Sequence, residues 1–114
     1  MRVQYLEIVT PDAEATCANL AALHGVGFSD PVPMLGGART ARLEGGGRIA
    51  VRGPLRPDES PVVRPYLLVD DIAAAVKAAE EAGAVIAHPP FELEGHGTFA
   101  IFIQGGIEHG LWQF

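Results

Sequence analysis

Apolar residues recur along the chain either at every second position, as in a strand, or at every third to fourth position, as in a helix. Strand-like and helix-like segments follow one another in the same order in both halves. In the first half, the pattern predicts a strand over 3–9, a helix that runs to about His24, an irregular edge strand within 26–35, and two strands over 39–43 and 48–53. In the second half, it predicts a strand over 63–69, a helix over 71–82, an edge strand near 84–88, and a hairpin that pairs 98–104 with 108–114. Each half therefore has the element order βαβββ.

Helix ends and loops are marked by residues with special backbone preferences. Thr10 and Pro11 precede the first helix as a candidate N-cap and a proline at the first helical position. Gly25 and Gly83 follow the two helices and are natural helix ends. An acidic loop through Gly97 is expected before the final hairpin.

The two halves also resemble each other residue by residue, at an offset of 59 positions. The segment that begins at Tyr5 aligns with the segment that begins at Arg64, and the helix-core residue Cys17 aligns with Val76. Such repetition predicts the architecture before any single residue is interpreted. We expect one α+β domain over 1–114, with module one at about 1–53, a proline-rich linker at 54–61 and module two at about 62–114. A ferredoxin-like sandwich also fits the element count, but the matched terminal hairpins favour the duplicated module.

Composition and charge exclude several classes of function. The formal net charge of −6 comes without any cluster of Lys and Arg, so nucleic-acid binding is not expected. No apolar run approaches the ~20 residues of a membrane-spanning helix, and Glu7 interrupts the N-terminal apolar stretch that a signal peptide needs. Cys17 is the only cysteine, which excludes a disulfide framework. We therefore expect a cytoplasmic protein with no membrane partner.

Three short segments resemble the vicinal oxygen chelate superfamily, which includes glyoxalase I, extradiol dioxygenases and the bleomycin and fosfomycin resistance proteins. They are Glu-Ile-Val-Thr-Pro-Asp12, Leu-Val-Asp-Asp71 and the ending His-Gly-Leu-Trp-Gln-Phe114. The resemblance covers essentially the whole chain. It implies two βαβββ modules that form a cupped mixed sheet with helices on the outer face, and a small-molecule cavity inside the cup. It also implies a homodimer, since members of the superfamily commonly dimerise.

Metal-dependent members of that superfamily carry their ligands on the first and last strands of each module. The matching first-strand positions here are Tyr5 and Arg64, and the last-strand positions are Gly110 and either Ala50 or Val51. Arginine stays protonated and glycine has no donor side chain, so these positions do not make a metal site. We expect no family metal and no cofactor.

Strand alternation places the candidate site on one face of the sheet. The apolar set Leu6, Ile8, Ile49, Val51, Leu67 and Val69 should lie beneath the helices, and the opposite face should carry the candidate ligand-binding residues Tyr5, Glu7, Arg52, Arg64, Tyr66 and Trp112. Aromatic rings with a few charged groups suit a ligand site, and Arg64 is suited to a carboxylate or phosphate. Glu7 would either pair with an arginine across strands or act as a general base, so no catalytic residue is assigned.

Together, the repeat and the resemblance predict a glyoxalase- or bleomycin-resistance-like protein that binds a small aromatic or anionic molecule, without the family metal. A binding protein is preferred to an enzyme. Two alternatives stay open: a metal-dependent enzyme of the glyoxalase or dioxygenase type (lyase, isomerase or oxygenase), and a dimeric module with no active site.

Overall fold

The structure, a computed structural model, describes residues 1–114. The elements in chain order are β1 (Val3–Val9), α1 (Ala13–His24), a short 3-10 helix (Pro33–Leu35), β2 (Arg39–Arg42), β3 (Arg48–Arg52), β4 (Val62–Leu68), α2 (Ile72–Glu81), β5 (Val85–Leu93), β6 (Gly97–Gln104) and β7 (Ile107–Gln113). The strands form a mixed sheet in the order β2-β3-β1-β4-β7-β6-β5. The predicted α+β class is confirmed. Neither helix is long and apolar enough to cross a membrane.

The duplication seen in the sequence is present in the element boundaries. Strands β1 and β4 begin at residues 3 and 62, helices α1 and α2 at 13 and 72, and strands β3 and β7 at 48 and 107, so each pair is separated by the same 59 positions. The pairing is also repeated, because β1 runs parallel to β3 as β4 does to β7, and the last strand of each module pairs antiparallel with the strand before it. The repeat therefore describes topology as well as sequence.

The chain divides into two compact units. One unit is Met1–Gln4 with Arg64–Phe114, and the other is Tyr5–Val63. Residues 53–61 contain neither helix nor strand. The division into modules at 1–53 and 62–114 within a single domain stays a prediction.

In the unit that contains Arg64–Phe114, α2 packs on β6 and β7 around Ile72, Ala100 and Leu111, which are all buried. Two side chains fix where this helix begins. Asp71 accepts a hydrogen bond from the backbone N–H of Ala74 at 3.0 Å, and Gln113 Oε1 accepts one from that of Ile72 at 2.7 Å. These bonds satisfy two of the N–H groups that a helix leaves without intrahelical partners.

In the unit Tyr5–Val63, α1 lies against β3 and buries Cys17, which is 2% exposed. This helix ends as predicted, because Gly25 adopts the left-handed conformation (φ 65°) and its N–H bonds the carbonyl of Ala21. Its start differs from the prediction. The helix begins at Ala13, Asp12 occupies the N-cap without a side-chain bond, and Thr10 Oγ1 instead accepts from the Asp12 N–H at 3.1 Å. The hydroxyl thus closes a local turn one step before the helix.

Of the two predicted edge strands, one is absent and the other is longer than predicted. The strand expected within 26–35 is absent, because Pro33 starts a turn of 3-10 helix and only an isolated bridge joins Val32 to Ala38. In the second module, β5 extends to Leu93 and includes Pro89 and Pro90, where an acidic loop was expected. An edge strand tolerates proline because one of its sides has no ladder to break, and β5 shows register shifts before and across this pair.

Candidate ligand-binding site

All six candidate side chains are buried. The residues are between 2% and 8% exposed: Tyr5, Glu7, Arg52, Arg64, Tyr66 and Trp112. The predicted alternation along β1 is present, but the apolar residues Leu6 and Ile8 are only half-buried. In this strand the candidate residues Tyr5 and Glu7 are therefore more buried than the apolar residues Leu6 and Ile8.

Three of the candidates lie in the unit Tyr5–Val63, around the guanidinium of Arg52. Arg52 Nε donates to Glu7 Oε2 at 2.9 Å, and its two terminal nitrogens donate to the two carboxylate oxygens of Glu59, each at 2.9 Å. Nη1 also donates to the Gly53 carbonyl at 3.2 Å. Parallel bonds between a guanidinium and a carboxylate are the strongest form of such a pair. Arg52 thus joins the first strand of module one to the loop that follows β3.

The charges of this cluster shift the protonation of its members. Burial opposes the charge of Arg52, but the hydrogen bonds and charges of Glu59 and Glu7 outweigh it and raise the pKa of the guanidinium. The hydrogen bonds from Arg52 lower the pKa of Glu59 to about 2. Burial, followed by the charge of Glu7, raises the pKa of the Tyr5 hydroxyl, so Tyr5 stays protonated. Of the two roles foreseen for Glu7, the structure shows the ion pair with an arginine.

Glu59 is a member of this cluster that sequence reasoning missed. It lies in the segment predicted as a proline-rich linker, and its side chain is only 10% exposed. Glu59 Oε1 also accepts a bond from the backbone N–H of Leu55 at 2.7 Å, which closes the loop on itself. In the sequence, Glu59 follows Arg52 by seven residues. This spacing corresponds to no helix or strand in the predicted linker, so it did not identify the two residues as partners.

The other three candidates lie in the unit that contains Arg64–Phe114. Arg64 faces Glu108 across β4 and β7, and both Nε (3.2 Å) and Nη2 (2.7 Å) donate to Glu108 Oε1. The two partners differ in exposure, since the side chain of Arg64 is 9% exposed and that of Glu108 is 42% exposed. The arginine that occupies a family ligand position is therefore a buried cation with a solvent-facing counterion.

Tyr66 explains why residue 110 is a glycine. The two residues are paired across β4 and β7, and a Cβ built on Gly110 would stand 2.5 Å from Tyr66 Cγ and 2.8 Å from the Pro65 carbonyl oxygen. Any larger side chain at position 110 would overlap the tyrosine ring. The ring therefore fills the space that a ligand side chain would need at this last-strand position.

The pairing register also identifies the matching position in module one. Glu7 pairs with Ala50 across β1 and β3, as Tyr66 pairs with Gly110 across β4 and β7. By pairing, Ala50 is therefore the counterpart of Gly110, one position before the residue that the offset of 59 gives (Val51), and it is fully buried. No group of three or more His, Cys, Asp or Glu side chains is placed to hold a metal ion.

Tyr66 belongs to a set of rings, which we call the aromatic row, on the face of the sheet opposite α2. Its members are Tyr66 on β4, Trp112 on β7, Phe99 on β6, and His88 and Phe91 on β5. Tyr66 meets Trp112 and Phe99 edge to face at centroid distances of 5.9 and 6.1 Å. His88 lies 4.6 Å from Phe99 and 5.9 Å from Phe91. These distances are in the range of favourable aromatic pairs.

Exposure increases along the aromatic row. Trp112 and Tyr66 are buried, Phe99 and His88 are half-buried, and Phe91 is 55% exposed. The buried end is fixed in place, because Trp112 Nε1 donates to the His96 carbonyl at 3.2 Å. His88 and Phe91 were missed in the sequence because β5 was expected to end near residue 88, and Phe99 lies on a predicted strand but was not assigned to the site.

Comparison with solved structures tests the fold. A hypothetical protein from Bacillus halodurans superimposes with a TM-score of 0.75 at 13% identity, over 99% of this chain and 94% of that chain. Methylmalonyl-CoA epimerase, solved in complex with methylmalonyl-CoA and NH4+, has a TM-score of 0.71 at 17% identity, over 98% of this chain and 93% of that chain. Methylmalonyl-CoA epimerase from Mycobacterium tuberculosis has a TM-score of 0.73 at 14% identity, over 97% and 86%.

The epimerase is a member of the vicinal oxygen chelate superfamily, and the superposition covers the full chain. This chain has the vicinal oxygen chelate fold. No family model and no curated protein matches the sequence itself. The vicinal oxygen chelate fold is shared by proteins with different functions, so the function of this chain depends on the side chains of its candidate site.

Proposed function

We propose that this chain binds a small molecule with an aromatic ring on the aromatic row, without the family metal. The observation that carries the proposal is the gradient from buried Trp112 and Tyr66 to exposed Phe91. Buried rings with fixed positions give a rigid surface, and exposed rings at the other end leave apolar area for a ligand to cover. A mostly aromatic surface with few charged groups is typical of small-molecule sites.

The absence of the family metal is supported by the donor set at the four ligand positions. Arg64 carries a positive charge, Ala50 and Gly110 have no donor atom, and the pKa of Tyr5 is raised, which disfavours the phenolate that a metal would bind. Metal analysis of protein purified without a histidine tag tests this part. One stoichiometric transition metal per chain would contradict it.

A ligand titration with matched variants tests ring binding. Trp112 is the only tryptophan, so its fluorescence reports on the buried end of the aromatic row. We expect 1-naphthol to change this fluorescence and to raise the melting temperature of the protein, since a ligand that binds only the folded state stabilises it. Phe99→Leu should weaken binding about tenfold, which corresponds to ~1.4 kcal/mol for a lost ring contact.

Phe102→Leu is the matched control on the same strand. Phe102 is half-buried like Phe99, but it packs on the α2 side, where it also stacks on His109. It should therefore alter stability and leave the dissociation constant unchanged. Equal binding by Phe99→Leu and the native protein would show that the ligand, if any, lies elsewhere.

An acid–base enzyme is the second candidate function. Two observations favour it: Glu7 is a buried carboxylate held in one orientation by Arg52, and two of the structural neighbours described above are epimerases. A positioned carboxylate can move a proton next to a carbonyl group. Incubation with methylmalonyl-CoA in heavy water tests this candidate, because a proton-transfer enzyme would incorporate deuterium at a rate that Glu7→Gln abolishes. The homodimer and the cytoplasmic location stay predictions.

A further inference from the structure

We infer that His88 is the specificity-determining residue of the aromatic row, and that the ligand is an aromatic compound with a hydrogen-bond donor, such as a hydroxyl group, on its ring. The inference rests on the proposed function, because it assumes that an aromatic ring binds to this row. It adds the chemical group by which the ligand is recognised and the atom that recognises it, Nε2 of His88.

The tautomer of His88 is set by the next residue along the chain. Nδ1 of His88 lies 2.8 Å from the carbonyl oxygen of Pro89. A carbonyl oxygen can only accept a hydrogen bond, so Nδ1 carries the proton that is donated. In the neutral imidazole the second nitrogen, Nε2, then keeps its lone pair and is a hydrogen-bond acceptor.

The acceptor Nε2 can be reached from solution. The Pro89 carbonyl is the only hydrogen-bond partner of the His88 ring in the structure. His88 is half-buried, and the only fully buried side-chain nitrogen or oxygen without a partner is Gln4 Oε1, so Nε2 of His88 is in contact with solvent. A donor group on a ligand can therefore bond to Nε2 without breaking a hydrogen bond within the chain.

A bulge at the two prolines of β5 brings His88 to the aromatic row. On β6, the partner of His88 is Ile101. The partner of Phe91 is Phe99, so the two prolines between His88 and Phe91 stand opposite a single residue. Residues three positions apart in a regular strand point to opposite faces, and the extra residue returns Phe91 to the face of His88. Proline has no N–H to lose from the ladder, which suits it to this position.

The ring distances leave room for a ligand at the exposed end of the row. The His88 ring is tilted by 32° against Phe99 at 4.6 Å, and it stands at 86° to Phe91 at 5.9 Å. The lone pair of Nε2 lies in the plane of the imidazole, so a donor approaches at the ring edge and the contact with Phe99 stays in place. An aryl hydroxyl that donates over about 2.8 Å places its ring roughly 6–7 Å from the imidazole centre. This ring can then also pack on Phe91, which is 55% exposed, within the distance of about 4.5–7 Å that is usual for aromatic pairs.

Calorimetry with two compounds of the same shape tests the hydrogen bond, at about pH 8, where imidazole groups are ordinarily neutral. 1-Naphthol carries a donor, and 1-methylnaphthalene has a methyl group in its place. We expect His88→Phe to weaken the binding of 1-naphthol about fivefold, the loss of one neutral hydrogen bond, and not to weaken the binding of 1-methylnaphthalene. His109→Phe is the matched control and should change neither dissociation constant. His109 is also half-buried and also stacks on a phenylalanine of β6, Phe102, which packs on the α2 side.

Nitrogen NMR of the histidine rings gives a second measurement on the native protein, which does not require a variant to fold. We expect His88 to carry its proton on Nδ1 in the free protein. The Nε2 resonance should shift when 1-naphthol is added and should respond much less to 1-methylnaphthalene. A His88 ring with its proton on Nε2, or an equal response of Nε2 to the two compounds, would refute the inference.

The outcomes separate this inference from the proposed function. If neither compound binds to the native protein, the proposed function fails and the inference fails with it. If both compounds bind and His88→Phe changes the two dissociation constants by the same factor, ring binding stands and recognition through Nε2 is refuted.

Discussion

Replacement of Gly110 by alanine gives the most direct test of the aromatic packing. The added Cβ would lie 2.5 Å from Tyr66 Cγ and 2.8 Å from the Pro65 carbonyl oxygen, so both neighbours must move. Tyr66 is 4% exposed and is held by edge-to-face contacts with Trp112 and Phe99, which limits its movement. Overpacking of a buried site costs about 1–3 kcal/mol, and we expect the upper half of that range here. A chain of this size should then melt roughly 8–12 °C lower.

The assay is urea denaturation followed by far-ultraviolet circular dichroism, because Trp112 fluorescence is itself altered by movement of Tyr66. Gly27→Ala is the control, since a Cβ at Gly27 meets no atom within 4 Å, and its effect should stay within about 0.5 kcal/mol. A double variant with Tyr66→Ala should cost about 2 kcal/mol less than the sum of the single variants, because the clash with the ring is gone. A Gly110→Ala protein as stable as the native one would refute the placement of Tyr66 over residue 110.

Three further predictions concern the ion pair of Glu59, the N-cap Asp71 and the buried thiol of Cys17. The pKa of Glu59 is lowered from 4.5 to about 2, so its pairing with Arg52 contributes up to about 3 kcal/mol to the free energy of unfolding above pH 4.5. This contribution is lost as the pH falls toward 2. In a series of urea denaturations at different pH values, Glu59→Gln should remove this part of the pH dependence of stability. Asp71→Ala should destabilise the protein by about 1 kcal/mol in urea denaturation, whereas Asp12→Ala, which makes no side-chain cap bond, should cost much less. Cys17 is buried with a raised pKa, so it should react with Ellman's reagent only after unfolding, and rapid reaction of the native thiol would contradict its burial.

Regular elements were predictable because local pattern determines them. Both helices and the first strand of each module were found close to their predicted bounds, and the repeat indicated the element order βαβββ in each half. The segment 26–35 and the end of β5 were not predictable, because the same proline signal accompanies opposite outcomes. Pro33 starts a 3-10 turn, whereas Pro89 and Pro90 lie inside β5. Whether a strand can accommodate a proline depends on its pairing in the complete sheet, which no local pattern encodes: Pro65 lies inside β4, which is not an edge strand.

Strand alternation predicted which side chains share a face of the sheet, but it predicted neither their ion-pair partners nor their burial. Alternation correctly grouped Tyr66 and Arg64 on one face of β4, yet it gave no indication that Glu108 and Glu59 would pair with the two arginines. Those partners come from β7 and from a loop, 44 and 7 residues away from the arginines they bind. The degree of burial in β1 was also not predictable from alternation, since Tyr5 and Glu7 are buried whereas Leu6 and Ile8 are half-buried.

The same offset of 59 residues that reveals the duplication also shows how the modules have diverged in chemistry. Tyr5 and Arg64 are equivalent positions, as are Glu7 and Tyr66, yet module one carries a carboxylate where module two carries a ring. In module one the carboxylate fixes a buried arginine whose other partner, Glu59, is also buried. In module two the ring covers a glycine and leaves the arginine with an exposed partner. All five members of the aromatic row lie on strands of the second module, so the binding surface that we propose belongs to that module.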